Sequence, residues 1–349
     1  MAIEKIELEN FTVFEDFHLN LSSAINVFIG ENGTGKTHLL KALYAACEAS
    51  KADGSDDELS KCFKSKVLDA TLLRDKKHGH LVVAVTVKGV NRKIRRGSSV
   101  IAASTEDLKR FAPKAEPACS SGYFIELPHG EKFSAVYIPV KDMLTHSKGF
   151  LAMAARYRDF PFDKTLTDIV LKASQWKVNT PTQLALKILP FLEEMLDGTV
   201  IFENEEFYVQ KHDGQKILFE LEAEGLKKIG LLWQLAMTDN LKNNSILIWD
   251  EPEANINPKY LPQLVNCLLE LSRNGVQIFL STHNYIFAKW FDVVKKDSDE
   301  VLFHSLYFDE KSQGVKSESE AYFESLKHNQ IATTFNNLLE RVYRLQIGE

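Results

Sequence analysis

The sequence lacks long apolar runs and has few cysteines. No window approaches eighteen consecutive apolar residues, so a membrane-spanning helix is not expected. The N-terminus, MAIEKIELENF, has no basic start followed by an apolar core, so a secretory signal is not expected either. The chain of 349 residues has only 4 cysteines, far apart and without a CxxC pair, which favours reduced thiols over disulfides or a zinc site. These absences predict a cytoplasmic protein.

The chain also lacks an overall excess of positive charge. Its formal net charge of -6 argues against a generic nucleic-acid binder. Residues 61–96 nevertheless hold eleven Lys/Arg and two Asp/Glu, whereas residues 193–224 hold ten Asp/Glu and two Lys/Arg. This segregation is typical of a DNA-facing patch or of complementary surfaces that meet, with solvated loops and hairpins as the alternative. The predicted DNA contact is the basic segment 88–96, which contains Arg92, Lys93, Arg95 and Arg96.

The first half of the chain divides into a β-rich part and a helical part. Alternating and apolar stretches predict strands around one helix in residues 1–142, including a hairpin in LVVAVTVKGVNRKIRR that turns at residues 89–91. Helical spacing dominates residues 143–198. The last helix there is expected to have Thr180 as its cap and to be kinked or interrupted by Pro190.

Residues 199–349 begin with β structure and then alternate between strands and helices. A hairpin is expected in TVIFENEEFYVQKHDGQKILFEL, with Asp213-Gly214 at its turn. The strands SILIWD, VQIFLS and VLFHSLYF then alternate with helical segments. Nearly continuous apolar strands in such an alternation predict an α/β fold with a parallel sheet covered on both faces.

A phosphate-binding loop follows the apolar strand Ile25–Ile29. VFIGENGTGKTHLL matches G-x-x-x-x-G-K-[ST], and a helical pattern follows it as the motif requires. The glycines let backbone N–H groups surround a phosphate, while Lys36 reaches its oxygens and the Thr37 hydroxyl binds Mg²⁺. The sequence therefore predicts a nucleotide site. Its expected contacts are Gly30, Glu31, Asn32, Gly33, Thr34, Gly35, Lys36, Thr37 and His38.

Two carboxylates follow the apolar strand residues Ile246–Trp249. Ligands of open α/β sheets bind at the carboxyl ends of the strands, where Asp250 and Glu251 are expected to lie. We expect Asp250 to hold Mg²⁺, partly through water, together with Thr37. Glu251 is expected to orient or deprotonate the attacking water. The alternative is a turn whose acids lie on a solvated face.

A histidine follows the next strand along the chain. VQIFLSTHNYIF ends a strand at Ser281 and then presents His283. A histidine in such a position is more often structural than catalytic. Because His283 comes one helix and one strand after the acids, we expect it to contact the γ-phosphate and report its presence.

Together these motifs resemble the ABC-type ATPase heads of RecF, SMC and OLD-like proteins. The stretches YIPVKDML, AEGLKKI and WDEPEANINP, in this order, resemble more narrowly the compact bacterial AAA_15/AAA_21-like ATPases. The resemblance implies a P-loop NTPase fold with a mixed or parallel sheet flanked by helices, an antiparallel β subdomain and an inserted helical subdomain. Residues 1–349 would form one head, with an N-terminal lobe (1–142), a helical subdomain (143–198) and a C-terminal lobe (199–349).

The resemblance also implies that two heads enclose ATP and Mg²⁺ between them. In such heads a signature loop from one copy contacts the nucleotide of the other. Gly225 is the counterpart of its glycine here, and Lys227 or Lys228 is the counterpart of its polar residue. Ala223 stands where a serine hydroxyl is common, which implies slow hydrolysis or control by a partner. Lys141 and Asp142 are the counterparts of the glutamine-bearing loop.

The function implied is a Mg²⁺-dependent ATPase, working as a homodimer or higher oligomer, that controls nucleic acid or an effector in bacterial genome maintenance or anti-phage defence. The alternative is a slow or inactive ATPase acting as a nucleotide-dependent scaffold that restrains a toxin or nuclease. A transporter subunit or a P-loop kinase fits the motif set less well. The stretch after His283 is too short for the nuclease domain of OLD proteins, so effector chemistry is expected on a separate chain.

Overall fold

A computed structural model gives the fold of the protein. It describes residues 2–51, 58–64, 80–87, 93–96, 99–100, 121–157, 159–309 and 314–347. No helix within these ranges is long and apolar enough to cross a membrane.

The strands and helices are numbered here in chain order. The strands are β1 (Ile3–Phe11), β2 (Phe14–Asn20), β3 (Ile25–Gly30), β4 (His80–Val87), β5 (Lys93–Arg96), β6 (Ser99–Val100), β7 (Ser121–Pro128), β8 (Ser134–Ile138), β9 (Gly198–Glu203), β10 (Glu206–Lys211), β11 (Lys216–Leu218), β12 (Ser245–Asp250), β13 (Gln277–Ser281), β14 (Val301–Asp309) and β15 (Gly314–Glu320). The α-helices are α1 (Lys36–Ala49), α2 (Glu58–Phe63), α3 (Phe150–Arg156), α4 (Lys164–Ala173), α5 (Gln183–Leu196), α6 (Glu224–Met237), α7 (Leu261–Arg273), α8 (Tyr285–Val294) and α9 (Gln330–Ile347). Short 3₁₀ helices cover Leu144–His146, Phe219–Leu221, Pro258–Tyr260 and Phe323–Ser325.

The central sheet has the strand order β15-β14-β3-β13-β12-β8. Its strands pair in parallel except for the antiparallel pair β14–β15 at one edge. All residues of β3, β12 and β13 are buried, as expected for strands covered on both faces. The predicted parallel sheet is therefore confirmed, and the carboxyl ends of β3, β12 and β13 meet along one edge.

Two hydrophobic cores lie on opposite faces of this sheet. Along β12, Leu247 and Trp249 belong to a core that also contains residues of α4 to α8. The alternate residues Ile246 and Ile248 belong to a second core, shared with α1 and the N-terminal strands. Because successive side chains of a strand point to opposite faces, one strand contributes to both cores.

The second sheet has the order β2-β1-β4-β7-β5, with β6 also paired to β7. It is antiparallel except for the parallel pair β4–β7. The predicted hairpin between β4 and β5 is wrong, because β7 lies between these two strands. The local alternation identified both strands, but a strand about thirty residues further along the chain separates them, and no short-range pattern indicates that. Strand β5 carries Lys93–Arg96, whereas Arg92 and residues 88–92 as a whole lie outside the described residues.

Helices α3 to α5 and the three-stranded sheet β11-β10-β9 connect the two halves of the chain. Helix α5 is capped by Thr182, whose Oγ1 accepts from the Ala185 N–H at 3.1 Å, not by Thr180 as predicted. The helix continues through Pro190, because its buried face packs against α6 and α7 and tertiary packing outweighs the local penalty. The predicted hairpin gains a third strand, since β10 pairs with both β9 and β11. The assignment of 143–198 as a separate subdomain stays a prediction.

Candidate functional site

The phosphate loop connects the end of β3 to the start of α1 and depends on three glycines in positive-φ conformations. Gly30, Gly33 and Gly35 have φ angles of 146°, 84° and 87°. A Cβ on Gly35 would lie 2.6 Å from Val13 Cγ2, because the β1–β2 turn packs against the loop. The positive φ angles favour glycine at all three positions, and at Gly30 and Gly35 close neighbours also exclude a side chain.

Lys36 is held over the loop. Its Nζ donates to the backbone oxygens of Gly30 and Glu31, both at 2.9 Å. Burial lowers the pKa of Lys36 to about 8, while the negative charges of Asp250 and Glu251 oppose the shift. A partly desolvated ammonium within a ring of backbone groups is well suited to an anionic phosphate.

Thr37 and Asp250 meet although they are far apart in the chain. Thr37 Oγ1 donates to Asp250 Oδ2 at 2.8 Å. The other carboxylate oxygen, Oδ1, accepts from Ser281 Oγ, and the Tyr137 hydroxyl lies 3.4 Å from Oδ2. Asp250 is buried. The Thr37 hydroxyl and the Asp250 carboxylate are hard oxygen ligands side by side, the kind that Mg²⁺ prefers.

Glu251 and His283 face each other next to this pair. His283 Nε2 lies 3.7 Å from Glu251 Oε1. Burial lowers the pKa of His283, the charge of Lys36 adds to the effect, and Glu251 and Asp250 oppose it. Glu251 has a left-handed backbone with φ 50°, and its N–H donates to Ser281 Oγ at 3.1 Å. A non-glycine residue in this conformation is held there by its surroundings, which is common at functional sites.

The remaining residues of the predicted phosphate loop differ in exposure. Glu31, Asn32 and Gly33 are exposed, whereas Thr34 is buried and its Oγ1 donates to Glu31 O at 2.8 Å. His38 lies on the side of α1 that faces α2. Its ring meets the Phe63 ring edge-on with 5.5 Å between centroids, and burial lowers its pKa. A nucleotide contact by His38 stays a prediction.

Gly225 and Lys227, the predicted signature residues, contact their own chain. A Cβ on Gly225 would lie 2.3 Å from the backbone oxygen of Asn255, in the loop that follows the acidic strand. Lys227 is buried, and its Nζ bonds to Glu224 Oε1 at 2.6 Å. The close approach inside one copy therefore already explains why position 225 is glycine. Ala223, the N-cap of α6, provides no side-chain hydrogen bond.

Two buried residues support the acidic loop in a way that the sequence did not predict. Lys228 is buried, and its Nζ donates to the backbone oxygen of Glu251 at 2.7 Å. Glu253 is buried, and its Oε1 accepts from Thr282 Oγ1 at 2.5 Å. Both bonds support the loop that carries Glu251. The second glutamate of DEPE was a visible signal for Glu253, whereas Lys228 shares its helix with a similar neighbour, and only the fold distinguishes them.

The donor set fits a nucleotide with Mg²⁺. The positive-φ glycines leave space at Gly33, where an added Cβ would meet nothing within 4 Å. Lys36 supplies a buried cation, and Thr37 with Asp250 supplies adjacent oxygen ligands. ATP with Mg²⁺ would bring a charged phosphate chain to the cation and a hard metal to the oxygens.

Parts of the chain are similar to known protein families and to individual proteins. A family model described as AAA ATPase domain matches residues 1–90, and one described as AAA domain, putative AbiEii toxin, Type IV TA system matches residues 159–288. The DNA replication and repair protein RecF of Ligilactobacillus salivarius is 29% identical over 213 residues, which cover 56% of this chain and 54% of that protein. RecF of Lysinibacillus sphaericus is 30% identical over 161 residues, covering 42% of each chain. The chain thus spans about half the length of these relatives, or less.

A solved structure shares the fold. The Smc head bound to the C-winged helix domain of ScpA aligns with a TM-score of 0.50 and 14% identity, covering 94% of this chain and 100% of that one. The chain is similar to the RecF/SMC-like class of ABC-type ATPases in its motifs and in its fold. The phosphate loop on β3, the acids on β12 and the histidine after β13 come together at one edge of the central sheet.

Proposed function

We propose that this head binds ATP with Mg²⁺ and hydrolyses it slowly at an interface with a second copy. The observation that carries the proposal is the meeting of Thr37 with Asp250 at 2.8 Å, with Lys36 and Glu251 beside them. Two segments that are far apart in the chain, residues 36–37 and 250–251, supply these groups. Phosphoryl transfer needs positioning and charge stabilisation, and this set of groups offers both.

Each residue has a role that its surroundings support. Lys36 neutralises phosphate charge, and Thr37 with Asp250 would hold Mg²⁺, which supplies further charge neutralisation when bound. Glu251 orients the attacking water and accepts its proton. His283 has a lowered pKa, so at neutral pH it is a neutral imidazole whose ring N–H can donate one hydrogen bond to the γ-phosphate.

The second copy and the downstream role in this proposal rest on the similarity to known proteins. The curated relatives are RecF DNA replication and repair proteins, and one matching model names a toxin of a toxin–antitoxin system. We therefore propose that the nucleotide state controls DNA or a separate effector protein, a nuclease or toxin, in genome maintenance or anti-phage defence. The basic segment 88–96 is the proposed DNA contact.

Nucleotide binding and turnover test the proposal together. Lys36→Ala is expected to weaken Mg-ATP binding, measured by calorimetry, and to abolish turnover. Glu31→Gln is the matched control, because the loop is expected to contact phosphate through backbone N–H groups and the Glu31 side chain is exposed. Its turnover should stay near that of the wild type. Unchanged nucleotide affinity in Lys36→Ala would show that the loop is not the nucleotide site.

A second candidate function is a nucleotide-dependent scaffold that restrains a toxin or nuclease. The observation that favours it is the start of α6, where Ala223 offers no hydroxyl and Lys227 is bonded to Glu224 of the same copy. Such a surface has few groups to accelerate hydrolysis in a partner. Size-exclusion chromatography with and without ATP, beside turnover, separates the two functions. Assembly locked by ATP with negligible turnover favours the scaffold.

A further inference from the structure

Helix α9 leaves the body of the protein part-way along its length. Its first turns pack on α8, where the rings of Phe335 and Tyr285 stack with centroids 4.0 Å apart, and Ala332 is buried. Every residue from Asn336 to Ile347 is exposed. Tertiary contacts therefore hold the start of the helix, while its outer half carries its apolar residues in solvent.

These apolar residues follow the spacing of a coiled coil. Ile331, Phe335, Leu338, Val342 and Leu345 are separated by alternating steps of four and three residues. Phe335 and Val342 then occupy a positions, and Ile331, Leu338 and Leu345 occupy d positions. The stripe starts against α8 and continues beyond the body, so the residues at 338, 342 and 345 form an exposed seam. In parallel coiled coils, a β-branched residue at a with leucine at d favours two strands.

The exposed seam is large for a monomer surface but small for a stable interface. Leu338, Val342 and Leu345 are 56%, 43% and 78% exposed, and the flanking Leu339 is 51% exposed. Together they present about 400 Å² of surface per copy, about half of the roughly 800 Å² that each partner contributes to a standard interface. The area suits a weak, concentration-dependent association.

The charges of the outer half permit two copies to pair along this seam. Glu340 and Arg344 are bonded to each other along the helix, with Glu340 Oε1 and Arg344 Nη2 2.5 Å apart. Arg341 occupies a g position and faces Gln346, at e, of a parallel partner. No like charges oppose each other in this arrangement. Among the described helices, α9 carries three successive a and d residues that are exposed and apolar. A second α9 therefore offers the matching surface.

We propose that α9 pairs with α9 of a second copy as a short parallel coiled coil, independently of nucleotide. This contact is separate from the proposed ATP-dependent pairing of heads and does not require it. It would keep two heads near each other before ATP binds, which raises the effective concentration for the second contact.

Sedimentation equilibrium without nucleotide tests the proposal on the full chain. The wild type is expected to show a concentration-dependent monomer–dimer equilibrium, and so is Lys36→Ala. In the double variant Leu338→Glu/Leu345→Glu, the association should weaken at least tenfold. The matched control is Tyr343→Glu/Ile347→Glu, two exposed apolar residues outside the seam, and it should associate like the wild type. Circular dichroism and a melting curve verify that every variant folds.

Disulfide crosslinking tests the register. In a Cys119→Ser background, Val342→Cys is expected to form dimers on mild oxidation, because an a residue faces its own counterpart in a parallel pair. Glu340→Cys, at the outward f position, should not. A wild type that stays monomeric at all concentrations, equal effects of seam and control variants, or equal crosslinking at both positions would overturn the proposal. Dimers seen with ATP alone, and lost in Lys36→Ala, would support head pairing but contradict pairing through α9.

Discussion

Replacing Glu253 with glutamine is expected to stabilise the nucleotide-free protein at pH 8 but not at pH 5. Glu253 lies in the loop between the acidic strand and α7, with 7% of its surface exposed. Its Oε1 accepts from Thr282, while its Oε2 is buried and finds no hydrogen-bond partner among the described residues. Burial raises the pKa of Glu253 from 4.5 to about 7, and the bond from Thr282 opposes the shift.

The sign follows from this raised pKa. The folded state binds the Glu253 proton more tightly than the unfolded state does. The stabilising contribution is therefore fully present below pH 4.5 and is lost as the pH rises through about 7. Across this window the protein loses about 3 kcal/mol of unfolding free energy. Glutamine keeps an oxygen for Thr282 but does not ionise, so it avoids this loss.

Urea unfolding at pH 5 and pH 8, with EDTA and without nucleotide, measures the effect. At each pH we take the unfolding free energy of the variant minus that of the wild type. The value at pH 5 is then subtracted from the value at pH 8, because constant effects of the substitution cancel. We expect about 2–3 kcal/mol for Glu253→Gln and no change for Glu220→Gln, since Glu220 is exposed. An equal stability change at the two pH values would refute the assignment of a buried, proton-binding carboxyl.

Three further predictions concern helix α6 and the basic segment 88–96. Lys228→Met removes a buried charged donor to Glu251 O, worth about 1.5–3 kcal/mol, so ATP turnover should fall at least tenfold at unchanged nucleotide affinity. The exposed control Lys242→Met should retain turnover, and equal losses in both would contradict a specific role for Lys228. Gly225→Ala places a Cβ against Asn255 O and should lower the unfolding free energy, measured in urea, by roughly 1–3 kcal/mol. Unaltered stability would indicate that this glycine is needed only for contact with a second copy. Neutralising the four basic residues of segment 88–96 should weaken DNA binding and reduce its salt dependence in a titration series. Unchanged binding would contradict a DNA contact by this segment. The four residues are Arg92, Lys93, Arg95 and Arg96.

Where its motifs are local, the sequence alone identified residues that the fold brings together. A phosphate loop needs specific residues at fixed spacing, so GENGTGKT was visible without the fold. Asp250 was predictable because a buried strand presents its last residue at the sheet edge. The contact of Thr37 with Asp250 then follows from the parallel alignment of β3, β13 and β12.

Other features depend on partners that are distant in the chain. The β4–β5 hairpin prediction failed because β7 pairs between the two strands, and pairing order is a property of the whole sheet. The importance of Lys228 follows from where α6 crosses the Glu251 loop, which no helical pattern reveals. Gly225 was interpreted as a contact to a second copy, whereas the fold places the Asn255 backbone against it.

The central claim is that Glu251 activates water at a site formed by the phosphate loop and Asp250. Single-turnover release of phosphate from bound Mg-ATP, compared between wild type and Glu251→Gln, tests it most directly. Loss of a positioned general base is expected to slow the step by roughly 10²–10⁴-fold, with nucleotide affinity unchanged because Glu251 is not a phosphate ligand. Equal phosphate-release rates in the two proteins would contradict the account.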